Sequence, residues 1–288
     1  ACAALCAALL LALSGLSAHA EDQDAVKRGA YIFAAADCVS CHTDKAHNGA
    51  PLAGGRALAT PFGTFFSPNI TPDKEEGIGS WTEAQFARAL RLGLDDDDQY
   101  LFPVFPYPSF TGMSDGDVAD LYAFLMAQTP QPTPDKPHEI KFPFGVRRLQ
   151  LAWRLLFFVP GPLEPVAGQT GEWNRGRYLA EAVVHCEECH TPRNFLGALE
   201  RDHGFAGNPN GPDGQNAPDI TSDMDTGIGK WSVDDIVEVL TSGMKPDNDM
   251  VARGMADVVD GTGKLSAADR HAIAVYIKSL PPRRATGK

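Results

Sequence analysis

This chain of 288 residues is poor in thiols and, beyond its first 20 positions, has no long apolar run. Two of its six cysteines, Cys2 and Cys6, lie in an uncharged Ala- and Leu-rich opening that ends Ala18-His19-Ala20. That opening has the apolar core and small-residue cleavage site of a secretory signal peptide, and it is short for a bilayer span. Residues 1–20 are thus predicted to be a signal peptide truncated at its start, with a periplasmic mature chain beginning at Glu21. The remaining cysteines are Cys38, Cys41, Cys186 and Cys189, which leaves no thiol for a structural disulfide or a catalytic thiolate. Positive charge is also scarce: 25 Lys and Arg stand against 37 Asp and Glu, a formal net charge of −12, none of it in residues 1–20. Such a surface excludes nucleic acid as a partner. No run of alternating residues argues for a sheet, and no acid–base pair, nucleophile or phosphate loop is evident, so no catalytic residue is assigned.

The four cysteines fall in two matching stretches, Cys38-Val39-Ser40-Cys41-His42 and Cys186-Glu187-Glu188-Cys189-His190. Each reads C-x-x-C-H, the attachment signature of a c-type haem. The two-residue gap puts both sulfurs on one side of a helical turn, where they can form thioethers. The adjoining histidine then supplies an axial nitrogen. A single such motif could be a zinc half-site, but here its surroundings repeat as well.

Arg28-Gly29-Ala30-Tyr31 precedes the first motif and Arg175-Gly176-Arg177-Tyr178 the second. Pro68-Asn69-Ile70-Thr71 and Gly77-Ile78-Gly79-Ser80-Trp81 return as Pro218-Asp219-Ile220-Thr221 and Gly227-Ile228-Gly229-Lys230-Trp231. The offset is about 150 residues, which describes a duplicated domain. The predicted boundaries are 21–130 and 172–288 for the copies and 131–171 for a Pro-rich linker. Each copy reads as short helices around a cofactor that supplies much of the apolar surface to be buried.

The first helix is expected over Asp24 to Ala36, with Val26, Ala30, Phe33 and Ala34 on its buried face and Gly29 admitting a crossing helix. Thr82-Glu83-Ala84-Gln85 is a capping box opening a helix that stops at Gly93, and Ser232 to Asp235 is its weaker equivalent, stopping at Gly243. Ser114 and Ser266 are expected to cap the last helix of each copy, with Asp117 and Asp269 three residues on. The linker segment Arg147 to Phe158 is apolar with three arginines. It reads as a strap across the domain interface, or as an interfacial helix or partner patch. The acidic run Asp95 to Asp98 lacks the alternate spacing of a calcium loop and reads as a solvated turn.

The sixth iron ligand decides the chemistry. An open position binds small molecules, whereas a thioether closes the iron, favours its ferrous form and suits electron transfer. Met113 lies in a stiff Pro- and Gly-containing loop directly before Ser114, which singles it out in the first copy. The second copy offers Met224, Met244, Met250 and Met255. Met255 is chosen, with Met250 second, both expected in the loop before Ser266, and spacing alone does not decide between them. His47, His138, His203 and His271 are the alternative nitrogen ligands. A metal-bound histidine donates its second N–H to an acceptor. Pro68 and Pro218, at matched places, are proposed as the acceptors for His42 and His190.

Pro51 to Leu58, Phe66 to Asp73, Gly77 to Thr82 and Cys189 to Asn194 carry a family resemblance. The chain resembles the cytochrome c subunits of bacterial membrane-bound alcohol, gluconate and related dehydrogenases. The resemblance implies an all-α fold of two tandem class I cytochrome c domains, each wrapped around one covalent haem c, with His and Met on each iron. It supports Met113 and Met255. It also implies a dehydrogenase catalytic subunit as electron donor and a quinone, cytochrome or oxidase as acceptor. Membrane association would come through the partner or the linker. Those subunits usually carry a third haem domain and a membrane-associating tail, whereas this chain stops after two, so a shorter relay to a soluble cytochrome or an oxidase is an equal expectation. The rival class is a dihaem enzyme, peroxidase-like or thiosulfate-oxidising, with an exchangeable haem ligand; a ligand sensor is a third.

Overall fold

The computed structural model describes residues 23–211 and 214–284, so the signal peptide expected at 1–20 lies outside the described residues. The first half opens with α1 (residues 23–35) and α2 (Cys38–His42). A hairpin of β1 (Ala57–Thr60) and β2 (Gly63–Phe66) follows. Then come α3 (Glu83–Leu92), α4 (Tyr107–Phe110) and α5 (Asp115–Met126). The linker holds β3 (Glu139–Ile140) and α6 (Gln150–Phe157). The second half comprises α7 (Gly171–Tyr178), which runs on through a π turn at Leu179–Val183, then α8 (Glu187–His190), α9 (Val233–Ser242), α10 (Arg253–Thr262) and α11 (Ala267–Lys278).

Two equivalent helix crossings frame the halves. A Cβ on Gly29 of α1 would lie 1.9 Å from the Asp120 carbonyl oxygen of α5, and a Cβ on Gly176 of α7 would lie 1.9 Å from the Ala272 carbonyl oxygen of α11. Only glycine permits backbones this close. The crossing also corrects the expected face of α1. Gly29, Ile32, Ala35 and Ala36 are the buried residues, because the stripe through the point of closest approach goes deepest. Phe33 instead covers the flank, its ring 4.9 Å from that of Phe124.

Both capping boxes form. Thr82 N–H reaches Gln85 Oε1 at 2.9 Å and Ser232 N–H reaches Asp235 Oδ2 at 2.7 Å, while Gly93 and Gly243 end α3 and α9 in the left-handed region. The all-helical expectation needs one correction. β1, β2 and β3 form a small antiparallel sheet, with Ala57 paired to Phe66 and Gly63 to Ile140. Its strands have four, four and two residues, too few for alternation to stand out, and the third comes from the linker.

The strap touches both halves. Trp153 Nε1 donates to Leu196 O at 3.0 Å, Arg147 reaches Tyr100 O at 3.0 Å, and Arg154 donates to Leu92 O. Its other side is open, with Leu155 78% and Leu156 69% exposed. One apolar cluster runs through both halves, from Ile32 and Leu121 to Leu179 and Ile273.

The halves also exchange neighbours. On one side Ser109 Oγ donates to Glu188 Oε1 at 2.8 Å, and the Phe110 and His185 rings meet edge-on at 5.3 Å. On the other, a Cβ on Gly261 of α10 would lie 2.2 Å from Ala34 O, and Lys45 sits 3.4 Å from Asp257. The segment before Met113 therefore packs beside the second C-x-x-C-H motif, and the helix carrying Met255 packs beside the first.

Candidate haem sites

Each C-x-x-C-H motif occupies a single short turn, and the residue before it, Asp37 or His185, has φ 49°. That left-handed residue turns the chain sharply from the preceding helix into the motif. No disulfide joins the described cysteines. Burial pushes the Cys186 and Cys189 thiols up to about 12, and it raises Cys38 as well. These sulfurs are held as thiols rather than as reactive thiolates. Among the described residues, no group of three or more His, Cys, Asp or Glu is arranged to hold a metal ion, so neither motif has the further ligands a structural zinc needs.

Behind each histidine the same loop recurs. The His42 carbonyl takes Gly54 N–H at 2.9 Å, and the His190 carbonyl takes Gly207 N–H at 2.8 Å. Thr43 Oγ1 accepts from Leu52 N at 3.1 Å, and Thr191 Oγ1 accepts from Phe205 N at 3.0 Å. A Cβ on Gly54 would fall 2.5 Å from the Ser67 carbonyl oxygen, and one on Gly207 would fall 2.7 Å from Asp219 N. These glycines let the proline segment slide in behind the imidazole. The result is His42 Nδ1 2.8 Å from Pro68 O and His190 Nδ1 2.7 Å from Pro218 O. A carbonyl only accepts, so Nδ1 carries the proton and Nε2 is the bare nitrogen of the neutral ring. Burial lowers both imidazole pKa values against the opposing pull of these carbonyls, which keeps the rings neutral. Thr43, Thr191, Gly54 and Gly207 escaped the sequence reading. Their signal was the same residue type in the same order after each histidine, directly after it for Thr43 and Thr191 and further on for Gly54 and Gly207.

Met113 has no exposed surface. It lies between α4 and α5, its N–H on Phe110 O at 3.0 Å and its carbonyl on Arg91 Nη2 at 2.8 Å. Met255 is not in a loop, as expected, but in the first turn of α10, half-buried and packed against the apolar cluster. Met255, Val258 and Thr262 share the inner stripe of that helix, a pattern that Gly254 and Gly261 obscure in the sequence. Met224, Met244 and Met250 are 56%, 43% and 54% exposed. The other histidines are engaged elsewhere: His47 with Asp44 at 2.9 Å, His203 with Arg284 O at 2.9 Å and His271 with Glu172 at 2.8 Å. His138 takes the Phe66 N–H at 3.2 Å and packs against the Phe65 and Phe102 rings.

A family profile described as cytochrome c matches residues 26–129, the stretch holding the first motif and Met113. A diheme cytochrome c-type protein of Cereibacter sphaeroides is 44% identical over 264 residues, covering 88% of this chain and 85% of its own length. The chain belongs to the cytochrome c family. Two further relatives are subunits. The alcohol dehydrogenase (quinone) cytochrome c subunit of Gluconobacter oxydans is 42% identical over 285 residues, 94% of this chain and 58% of its own. The gluconate 2-dehydrogenase cytochrome c subunit of Pantoea cypripedii is 40% identical over 292 residues, 97% of this chain and 65% of its own. The chain thus spans somewhat over half the length of these two.

Haem c is the cofactor of cytochromes c, and the donor set here fits it. Each motif offers two thiols on one turn for covalent attachment and a neutral imidazole whose Nδ1 is already engaged. The first half adds a fully buried thioether. Like its relatives, the chain is an electron-transfer protein rather than a catalytic subunit. Among the described residues, no helix is long and apolar enough to cross a membrane.

Proposed function

We propose that this cytochrome c is a periplasmic relay that carries single electrons between two covalent haem c groups. It takes them from a dehydrogenase catalytic subunit and yields them to a quinone, a soluble cytochrome or an oxidase. Cys38 and Cys41 hold one group and Cys186 and Cys189 the other, in domains spanning 21–130 and 172–288 joined by the 131–171 linker. His42 with Met113, and His190 with Met255, close the two irons. The bound haem supplies the one-electron change. The protein anchors it, fixes the imidazoles through Pro68 and Pro218, and excludes water.

The duplicated imidazole-to-proline hydrogen bond, at 2.8 and 2.7 Å, is the observation that carries this reading. A protein that holds both axial nitrogens in the same oriented, neutral state is built for two irons of the same kind. The names of the relatives support the partner. The open apolar side of the strap supports a contact surface, since patches of this kind mark interaction sites. Met113→Ala is the test. In the haem-loaded protein it is expected to abolish the sulfur-to-iron absorption of the first site, lower that site's potential and admit carbon monoxide, with covalent loading intact. An unchanged spectrum and redox titration would remove Met113 from the ligand set.

A further inference from the structure

Helices α3 and α9 complete their own capping boxes, but α5 and α11 do not. Ser114 and Ser266 each accept the N–H of the aspartate three residues on, Asp117 or Asp269, at 3.1 Å. In a full box that aspartate would reach back to the serine N–H. Here a tyrosine from the other half stands between them. Ser114 N–H donates to Tyr178 OH at 3.1 Å, and Tyr178 OH donates to Asp117. Reciprocally, Ser266 N–H donates to Tyr31 OH at 3.0 Å, and Tyr31 OH donates to Asp269 Oδ2 at 2.6 Å. Each half thus finishes the start of the other's last helix. Burial, with the bond to Asp117, pushes the Tyr178 phenol up to about 12, so it remains a donor.

The two latches are alike in bonding but differ in what lies next to them. Ser114 directly follows Met113, whereas Ser266 lies eleven residues beyond Met255. The peptide after Met113 is held at its carbonyl by Arg91 and at its N–H by Tyr178. We infer that Tyr178 is a positioning residue for the Met113 thioether, acting across the domain interface, while Tyr31 only closes a helix. The inference rests on the proposed ligation of the first iron by Met113. Without the phenol, Ser114 N–H loses its acceptor, and the peptide joining Met113 to Ser114 keeps a side-chain partner only at its carbonyl, Arg91.

The test compares Tyr178→Phe with Tyr31→Phe in the haem-loaded full chain. Both are expected to unfold at lower urea concentration. Only Tyr178→Phe is expected to weaken the sulfur-to-iron band, lower the first site's potential and raise carbon monoxide binding by the reduced protein. Asp117→Ala, which frees the phenol to turn away, is expected to act in the same direction more weakly, and it decides the matter if Tyr178→Phe does not fold. Equal spectral effects of the two tyrosine variants would overturn the inference, as would wild-type band and potential in both Tyr178→Phe and Asp117→Ala. Met113→Ala runs alongside. If it alters the band and Tyr178→Phe does not, only the positioning role falls; if it changes nothing, the ligation itself falls.

Discussion

In the first half Arg28 forms a two-pronged pair with Asp120, at 2.6 and 2.7 Å. In the second half Arg175 makes the same pair with Asp269, at 2.9 and 2.7 Å. The arginines are equivalent, but the carboxylate sits one helical turn nearer the start of α11 than of α5. Asp269 therefore serves both Arg175 and Tyr31, whereas Asp117 at the matching place serves Tyr178. The glycine crossings, by contrast, are preserved to the same 1.9 Å. The difference follows from magnitudes. Overpacking a tight contact costs about 1–3 kcal/mol. A part-exposed ion pair is worth about 0.2–1 kcal/mol, and several geometries supply it equally well. Across the duplication, excluded volume has left no second solution, while charge has moved by a turn.

Substitutions at the glycine crossings, at the paired carboxylates and at the second-half methionines would break or sharpen that contrast. Gly29→Ala and Gly176→Ala should have the largest effect, each destabilising by about 3 kcal/mol, because the added carbon meets an unyielding carbonyl. Urea unfolding measures this, and a neutral result at either site would end the claim that the crossings are sterically fixed. Asp269→Asn should come next, costing about 1 kcal/mol at neutral pH and more than Asp120→Asn, since it disturbs two partners. Arg175, aided by Tyr31 and opposed by burial, holds the Asp269 carboxyl below its ordinary 3.8. A carboxylate with a lowered folded value stabilises the fold above 3.8, and that contribution is lost as pH falls through the lowered value. The gap between wild type and Asp269→Asn should therefore close in acid; a gap that persists would deny the carboxylate its role. Met250→Ala should do least, within about 0.5 kcal/mol and with no spectral change, because its side chain is half in solvent. Only Met255→Ala should open the second site, and the reverse result would exchange the two.

Much of this was legible because it is local. The attachment motifs, the capping residues and the glycine stops all lie within a few residues of what they specify, and the repeat is a match between two sets of such local patterns. Even the proline acceptors were within reach, since the matched Pro68 and Pro218 had to pass behind matched histidines. The rest depended on distant partners. β3 pairs with β2 from beyond the whole of α3 to α5, which no short pattern reveals. The buried face of α1 is set by what crosses at Gly29, and its own periodicity alone pointed one residue away. The tyrosine latches join residues more than 60 positions apart, such as Ser114 and Tyr178, and only the folded chain brings them together.

The reciprocal phenols bear on how this molecule could be divided. Proteolytic cleavage in the linker would not release two free-standing carriers. Each fragment would keep its motif but lose the phenol that accepts the N–H of the serine at the start of its terminal helix, and it would turn half of a shared apolar core toward water. The pair is one cooperative object with two redox centres, and the smallest portable version of it is both halves together.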